Sequence, residues 1–428
     1  MSQQTMPNTT DHGTLPEGDA AIRQHVAKRQ KRGRAYQILL MSSLIIGIIA
    51  LTTLLYDIAS DSVGLVAIEN EVEPATLAGG RPLESLSKDE LTAILKDNVS
   101  ANLFRRFDRD KPFAERSQAE VLALVNERVV NPNIVESWGL WDSLTNRATI
   151  EAEVKAKNPN AKVEWRSWIN GSFLSTPMSS VAAIAGIRTA IFGSLFIILI
   201  TICLAVPIGV SAAIYLEEYA AFTSNKWLQR FNQIIETNIN NLAGVPSIIY
   251  GMLGLAIFVR AMEPLTSGAV FGVTDSNGRT IISAALTMTL LILPLIIINA
   301  REAIRAVPRS IRQASFGLGA TRWQTIWNHV LPQAVPGILT GTILGVSRAI
   351  GETAPLIVIG ASTFIVTDPN GIFSKFTALP IQIYDWTSRP DPQFRNAAAA
   401  AILVLLTMLL SLNAIAIFLR NYFRRSAV

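Results

Sequence analysis

Residues 336–361 read PGILTGTILGVSRAIGETAPLIVIGA. The run is apolar and long enough to cross a hydrocarbon core of ~30 Å, which takes about 20 helical residues. Yet it carries Arg348 and Glu352. These lie four apart, so both project from one helix face and can pair. Charges at membrane depth are costly and normally face the bundle interior or a water-filled path. They read either as a mutually neutralising structural pair or as a site. In the second case Arg348 lines an anion path, because a guanidinium fork matches phosphate-type oxyanions. Glu352 then keeps the grip weak, and Thr353 borders the same path. Gly337, Gly341 and Gly345 recur every four residues, a small-residue seam suited to close helix contact. Pro355 is expected to kink the helix just past the charges.

Outward from this run the chain repeats the pattern. Apolar stretches at Ile38–Leu55, Thr189–Leu216, Asn238–Val259, Thr280–Ala300 and Asn396–Leu419 bring the expected spans to six, with the charged one taken as Pro336–Thr363. Half of the 428 residues are hydrophobic, only 16% are charged, and there is one cysteine, Cys203. This excludes a disordered chain and a disulfide-built scaffold, and an all-α polytopic membrane protein is expected. The first span is expected to be a permanent helix and not a cleavable signal, because it starts late and no small-residue cleavage site follows it. Basic residues crowd one side. They are Arg23 to Arg34 in the tail 1–35, Lys226 and Arg230, Arg301 to Arg322, and Arg420 to Arg425. Both termini are therefore expected in the cytoplasm, with the first span at 36–56.

The polar segment 57–182 then falls outside, as a small folded extracytoplasmic domain rather than a linker. Ser87 and Glu90 form a capping-box signature, and Ala119–Val130 has a helical apolar pattern. Trp138, Trp141, Trp165 and Trp168 read first as core or interface aromatics. The tail 1–35 is polar and expected to be disordered. The remainder, 183–425, is the membrane core.

Between the fourth and fifth spans, residues 301–336 read REAIRAVPRSIRQASFGLGATRWQTIWNHVLPQAVP. Pro308 stops the fourth span, and Ser310 can cap a new helix. Ile311, Ala314, Ser315 and Leu318 share one face. Gly317 and Gly319 turn the chain, and Trp323, Ile326, Trp327 and Val330 form a second stripe, which is expected to end at Pro332. On composition alone, this hairpin is equally an interfacial amphipathic element or a docking element.

No phosphate-binding Gly-rich loop ending in Gly-Lys-Ser/Thr occurs. His12, His25 and His329 are scattered, and neither a zinc-spaced cluster nor a Gly-x-Ser-x-Gly elbow is present. Nothing in the sequence points to an enzyme or to nucleic-acid binding.

The loop 301–335 resembles the EAA loop of bacterial ABC-importer permeases. Gln313-Ala314-Ser315 stand for Glu-Ala-Ala, followed by Gly319 and by His329-Val330-Leu331-Pro332. Ser347 to Leu356 resembles the A-R-A-x-G-E-T-A-P-L run of the phosphate-specific permease of PstA type, departing from it at Ser347. Pro207 to Tyr219 and Asn241 to Gly251 are similar to the same family. The resemblance implies a six-helix permease in the cytoplasmic (inner) membrane that imports inorganic phosphate. It also implies a PstC-type second permease, two copies of a PstB-type ATPase holding ATP-Mg, and a PstS-type binding protein. This chain then binds no cofactor of its own. Its family roles fall on Arg348 and Glu352 for the path and on Gln313, Ala314, Ser315, Gly319, Leu331 and Pro332 for coupling. The long 57–182 segment exceeds the common form of that family. Three alternatives stand beside this reading: a sulfate or molybdate permease, a proton-coupled carrier, and a phosphate-responsive scaffold or sensor.

Overall fold

The structure is a computed structural model that describes residues 17–110, 112–220, 223–273, 277–389 and 393–426. Two units divide the chain, residues up to Asp57 and residues from Ile58 onward. The first consists of helix α1 (Glu17–Asp61) up to that boundary. Residues 17–35 were expected as disordered tail and are helical instead. The stretch is rich in Ala, Arg, Lys and Gln, all good helix formers. The rest of the expected tail lies outside the described residues.

The second unit opens with the insertion. Strand β1 (Val63–Asn70) is followed by helices α2 (Lys88–Asn98), α3 (Ala101–Asp110) and α4 (Gln118–Val125). Strand β2 (Pro132–Ser137), helix α5 (Arg147–Lys157) and strand β3 (Lys162–Ser167) complete it. The chain is mostly helical as expected, and the sheet adds a feature that a purely helical reading lacked. It is antiparallel in the order β2-β1-β3, with Leu65 opposite Trp165 and a register shift at Ala67/Ile68. The central strand is apolar on both faces because each meets a different core. Leu65 and Ala67 pack with Ile150 and Val154 of α5. Val66 packs with Ile134, Trp168 and Phe173.

α2 and α4 are two copies of one device. Pro82-Leu83, Ser87, Glu90, Leu91 and Leu95 recur thirty residues on as Pro112-Phe113, Ser117, Glu120, Val121 and Val125. In each copy a 3-10 turn leads into a Ser–Glu capping box. The apolar residues of both copies share one core. Each copy presents too little apolar surface to close a core alone, and pairing them completes it.

The membrane core has helix α6 (Arg188–Ile214), continued by a π turn to Tyr219. Helices α7 (Lys226–Ala243), α8 (Ser247–Gly254), α9 (Ile281–Arg305) and α10 (Arg309–Gly317) follow. Next come α11 (Arg322–Gly351), α12 (Ala354–Ile359), α13 (Leu379–Ser388) and α14 (Phe394–Ser426). Among the described residues, five helices are long and apolar enough to span. A sixth span is counted only if α7 and the helix from Ser247 to Ala261 are taken together. That pair bends by 110°, so the expected straight span Asn238–Val259 is corrected. Gly244 ends α7, and Val245, ahead of Pro246, is pushed out of the helical region. Mean hydropathy runs on across the corner because it does not sense direction.

The insertion packs onto the helices of the membrane core. Val66, Ile134, Trp168 and Phe173 share one buried core with Leu379 and Trp386 of α13 and Phe394, Ala397 and Ala401 of α14. Polar contacts reinforce the seam. Ser137 Oγ donates to Asn396 Oδ1 at 2.9 Å, and Asn396 Nδ2 donates to the Asp61 carbonyl at 2.7 Å.

Candidate functional site

Two places carry unusual chemistry. The first is the broken tip of the fifth span. α11 ends at Gly351, and Glu352 is extended, with φ −78° and ψ 119°. The break precedes the charge-bearing turn's end, so Pro355 does not kink a continuing helix as expected. It sits in the first turn of α12, where its missing N–H costs nothing. Arg348 Nε meets Glu352 Oε1 at 3.1 Å. This contact uses one nitrogen of the fork, and both Nη groups lie beyond it. The Arg348 side chain is 38% exposed and the Glu352 side chain 19%. The pair therefore adds at most about 1 kcal/mol to stability. Thr353 is half-buried at the head of α12.

Close packing holds the tip. A Cβ on Gly251 of α8 would approach Pro355 Cα to 2.7 Å, so α8 lies directly on α12. The glycine seam faces α9. A Cβ on Gly337 would come 2.7 Å from Ala303 Cβ, one on Gly341 would overlap Asn299, and Gly345 faces Ile296. Ser347, the departure from the family run, donates to Asn413 Oδ1 of α14 at 2.8 Å. That residue binds the fifth span to the last one.

The second place is the hairpin formed by α10 and the start of α11. Pro308 itself precedes the first helical residue, Arg309, and replaces Ser310 as the cap. Gln313 and Ala314 are exposed, whereas Ser315 is buried and shares a 2.8 Å hydrogen bond with Thr325. Gly319 has φ +81°, a left-handed turn that disfavours any Cβ. Thr321 and Gln324 then cap α11. The helix does not end at Pro332 as expected. It runs on to Gly351, with a π turn at Ile326–Val330 just before the proline. Such widening accommodates a residue that lacks an amide and would press on the carbonyl of Asn328. Leu331 and Pro332 are thus inside one rigid rod that joins the hairpin to the charged tip. Phe316, Leu318, Trp323 and Trp327 are exposed, Leu318 by 90%, and the two Trp rings stack at 5.6 Å.

A clasp that sequence reading missed ties this hairpin to the end of α6. Arg312 donates through Nε and Nη2 to Glu218 Oε1 at 2.9 and 2.6 Å. The same guanidinium donates to the carbonyls of Val307 and Ile304. Arg322 Nη1 donates to the Glu218 carbonyl at 3.2 Å. Glu218 is only 4% exposed. Next to it Glu217 receives Arg305 in two 3.0 Å contacts, and Arg301 reaches Glu236 at 2.9 Å. The one available signal was a pair of carboxylates directly after a long apolar run.

Residues 205–427 match the family model described as binding-protein-dependent transport system inner membrane component. A probable ABC transporter permease protein of Bacillus subtilis, YqgI, is 33% identical over 262 residues, covering 58% of this chain and 83% of the relative. The phosphate transport system permease protein PstA 1 of Mycobacterium tuberculosis is 31% identical over 236 residues, 55% of this chain and 70% of the relative. The permease protein PstC of Pasteurella multocida is 33% identical over 207 residues, 44% of this chain and 60% of the relative. Permeases of this kind are transport subunits and not enzymes. A multi-pass chain with a charged broken span and a rigid hairpin fits that role, and the chain belongs to the family of binding-protein-dependent transport system inner membrane components: it is an ABC importer permease subunit.

Proposed function

We propose that this chain is one transmembrane half of an ATP-driven importer of inorganic phosphate. The observation that supports this most is the position of Arg348. It sits at the broken tip of the fifth span with most of its donor fork unused by Glu352, in a chain whose relatives include phosphate permeases. A guanidinium suits a tetrahedral oxyanion, and the neighbouring carboxylate limits how tightly the anion is held, which transport requires.

In this reading Arg348, Glu352 and Thr353 border the path. A PstC-type permease supplies the other half of the pore, and a PstS-type binding protein delivers phosphate to the face that carries the insertion. The hairpin at Gln313, Ala314, Ser315 and Gly319 docks into a PstB-type ATPase, two copies of which hold ATP-Mg. Its exposed Leu318 and stacked Trp323 and Trp327 provide the contact surface. Motion of the hairpin reaches the tip through α11, which passes Leu331 and Pro332 unbroken. Both termini then lie in the cytoplasm.

The test is labelled phosphate uptake in cells lacking and regaining this chain, with sulfate as competitor and an uncoupler as control. Chain-dependent uptake that resists both is expected, and Arg348→Gln should abolish most of it while the complex still assembles. Competition by sulfate would reassign the chain to another oxyanion, and loss of uptake on uncoupling at constant ATP would reject the ATP-driven reading.

A further inference from the structure

Helix α7 has a surface that the transport reading does not use. It is turned 110° from the helix Ser247–Ala261. A Cβ on Gly254 of that second helix would overlap Thr287 of the span α9, so the second helix runs against the bundle and α7 lies across its end, close to the membrane plane. Two contacts fix it there. Tyr215, in the π turn that ends α6, donates to Asn232 Oδ1 at 3.2 Å. Arg301, near the end of α9, donates to Glu236 at 2.9 Å. Positions four apart form rows along a helix, and Asn232 with Glu236 is the row on the bundle. Trp227 and Phe231 form a second row, their rings stacked at 5.8 Å. Ile234 lies on the same side, and all three are exposed, Trp227 by 70%. Lys226 and Arg230 form a third row directly beside the aromatic one and are exposed too. Among the described residues neither cation has an ion-pair or hydrogen-bond partner. The one carboxylate of α7, Glu236, is already taken by Arg301.

An apolar strip flanked by unmatched cations calls for an occupant that meets both. A protein partner would have to bury Lys226 with the rings, and protein interfaces are poor in lysine at their centres. The boundary of a bilayer meets both needs. Aromatic rings settle at headgroup level, and phosphate oxygens accept from an ammonium and a guanidinium beside them. A helix with this pattern lies in the plane of the interface, held by its apolar side and by attraction to anionic lipid. We propose that α7 is an interfacial helix that binds anionic phospholipid. Trp227, Phe231 and Ile234 enter the acyl boundary, and Lys226 and Arg230 hold the headgroups. The site is joined to the clasp at the hairpin, because Arg301 also lies 3.7 Å from Glu217, the partner of Arg305.

The experiment places the importer, purified with its partner subunits, in nanodiscs of mixed phosphatidylcholine and phosphatidylglycerol, with brominated acyl chains on one lipid or the other. Tryptophan fluorescence is compared between the parent and Trp227→Phe, and the difference isolates Trp227. Its emission is expected to be quenched by brominated lipid. Phosphatidylglycerol should be favoured over phosphatidylcholine by at least about fivefold, the contribution of one basic residue near an anionic surface. The double variant Lys226→Gln with Arg230→Gln should quench equally with both lipids, while Lys226→Arg with Arg230→Lys should keep the preference. A Trp227 signal that neither brominated lipid quenches overturns the proposal and gives this face to a partner subunit. Equal quenching by the two lipids in the parent overturns it as well, as does a preference that survives the loss of both charges.

Discussion

Replacing Arg312 with methionine takes from the Glu218 carboxylate its short ion pair in a site only 4% exposed. The Arg312 side chain is itself 13% exposed and spends three nitrogens on Glu218, Val307 and Ile304. Breaking such a buried pair from one side costs about 3–5 kcal/mol, most of it the penalty for the stranded charge. The adjacent pair supplies the control. Arg305 meets Glu217 through two 3.0 Å contacts but is 61% exposed, and exposed pairs contribute about 0–1 kcal/mol. Arg305→Met should therefore cost a small fraction of Arg312→Met. The double change Arg312→Met with Glu218→Met removes both charges, and apolar replacements of a buried pair are often neutral. The assay is the thermal midpoint of the purified permease for the four proteins, followed, under the proposed function, by phosphate imported per ATP hydrolysed in the assembled complex. The expected order is Arg312→Met far below Arg305→Met, with the double variant restored towards the parent. Coupling should fall in Arg312→Met, because the hairpin loses its hold on the end of α6. An Arg312→Met protein no less stable than Arg305→Met would refute the clasp, as would a double variant as unstable as the single.

Gly341→Leu should prevent α11 from seating on α9, because even a Cβ there overlaps Asn299; overpacking of this kind costs about 1–3 kcal/mol or more, and purified yield and thermal midpoint would show it. Gly319→Pro should uncouple ATP hydrolysis from uptake while leaving the spans assembled, since proline fixes φ near −65° against the +81° observed; unchanged coupling would mean the hairpin is not a lever. Deleting 60–178 should abolish the folded protein, because Trp386, Phe394 and Ala397 would lose the partners that bury them, and a monodisperse deletion variant would contradict the shared core. Glu90 accepts from the Ser87 N–H at 2.7 Å and from Arg81 Nη2 at 3.0 Å, and contacts with Ser87 and Arg81 hold its carboxyl below the ordinary value. A lowered folded value contributes stability that is present above the unfolded value and lost as pH falls through the folded one. Glu90→Gln should flatten that part of the acid stability profile, read by circular dichroism.

Much of the architecture was legible in the chain. The apolar runs located the spans because burying ~20 apolar residues in lipid leaves little choice of structure. The Ser87–Glu90 box, the left-handed Gly319 and the glycine seam each follow from local chemistry, and each appears where local spacing put it. Helix ends were less legible. Pro308, Pro332 and Pro355 were read as a stop, an end and a kink. Only the first acts so, because the effect of a proline depends on whether its turn is already a terminus or can widen.

What the sequence by itself determined is whatever depends on neighbours along the chain: apolar spans, caps, turns and the four-residue spacing of Arg348 and Glu352. What only the tertiary structure decided joins distant positions. Examples are Glu218 with Arg312, Ser347 with Asn413, the insertion with α13 and α14, and the 110° corner between α7 and α8. The physical reason is that hydropathy and propensity are sums over adjacent residues. A buried charge pair or a shared core is set by which surfaces meet once the helices have packed, and no local sum contains that information.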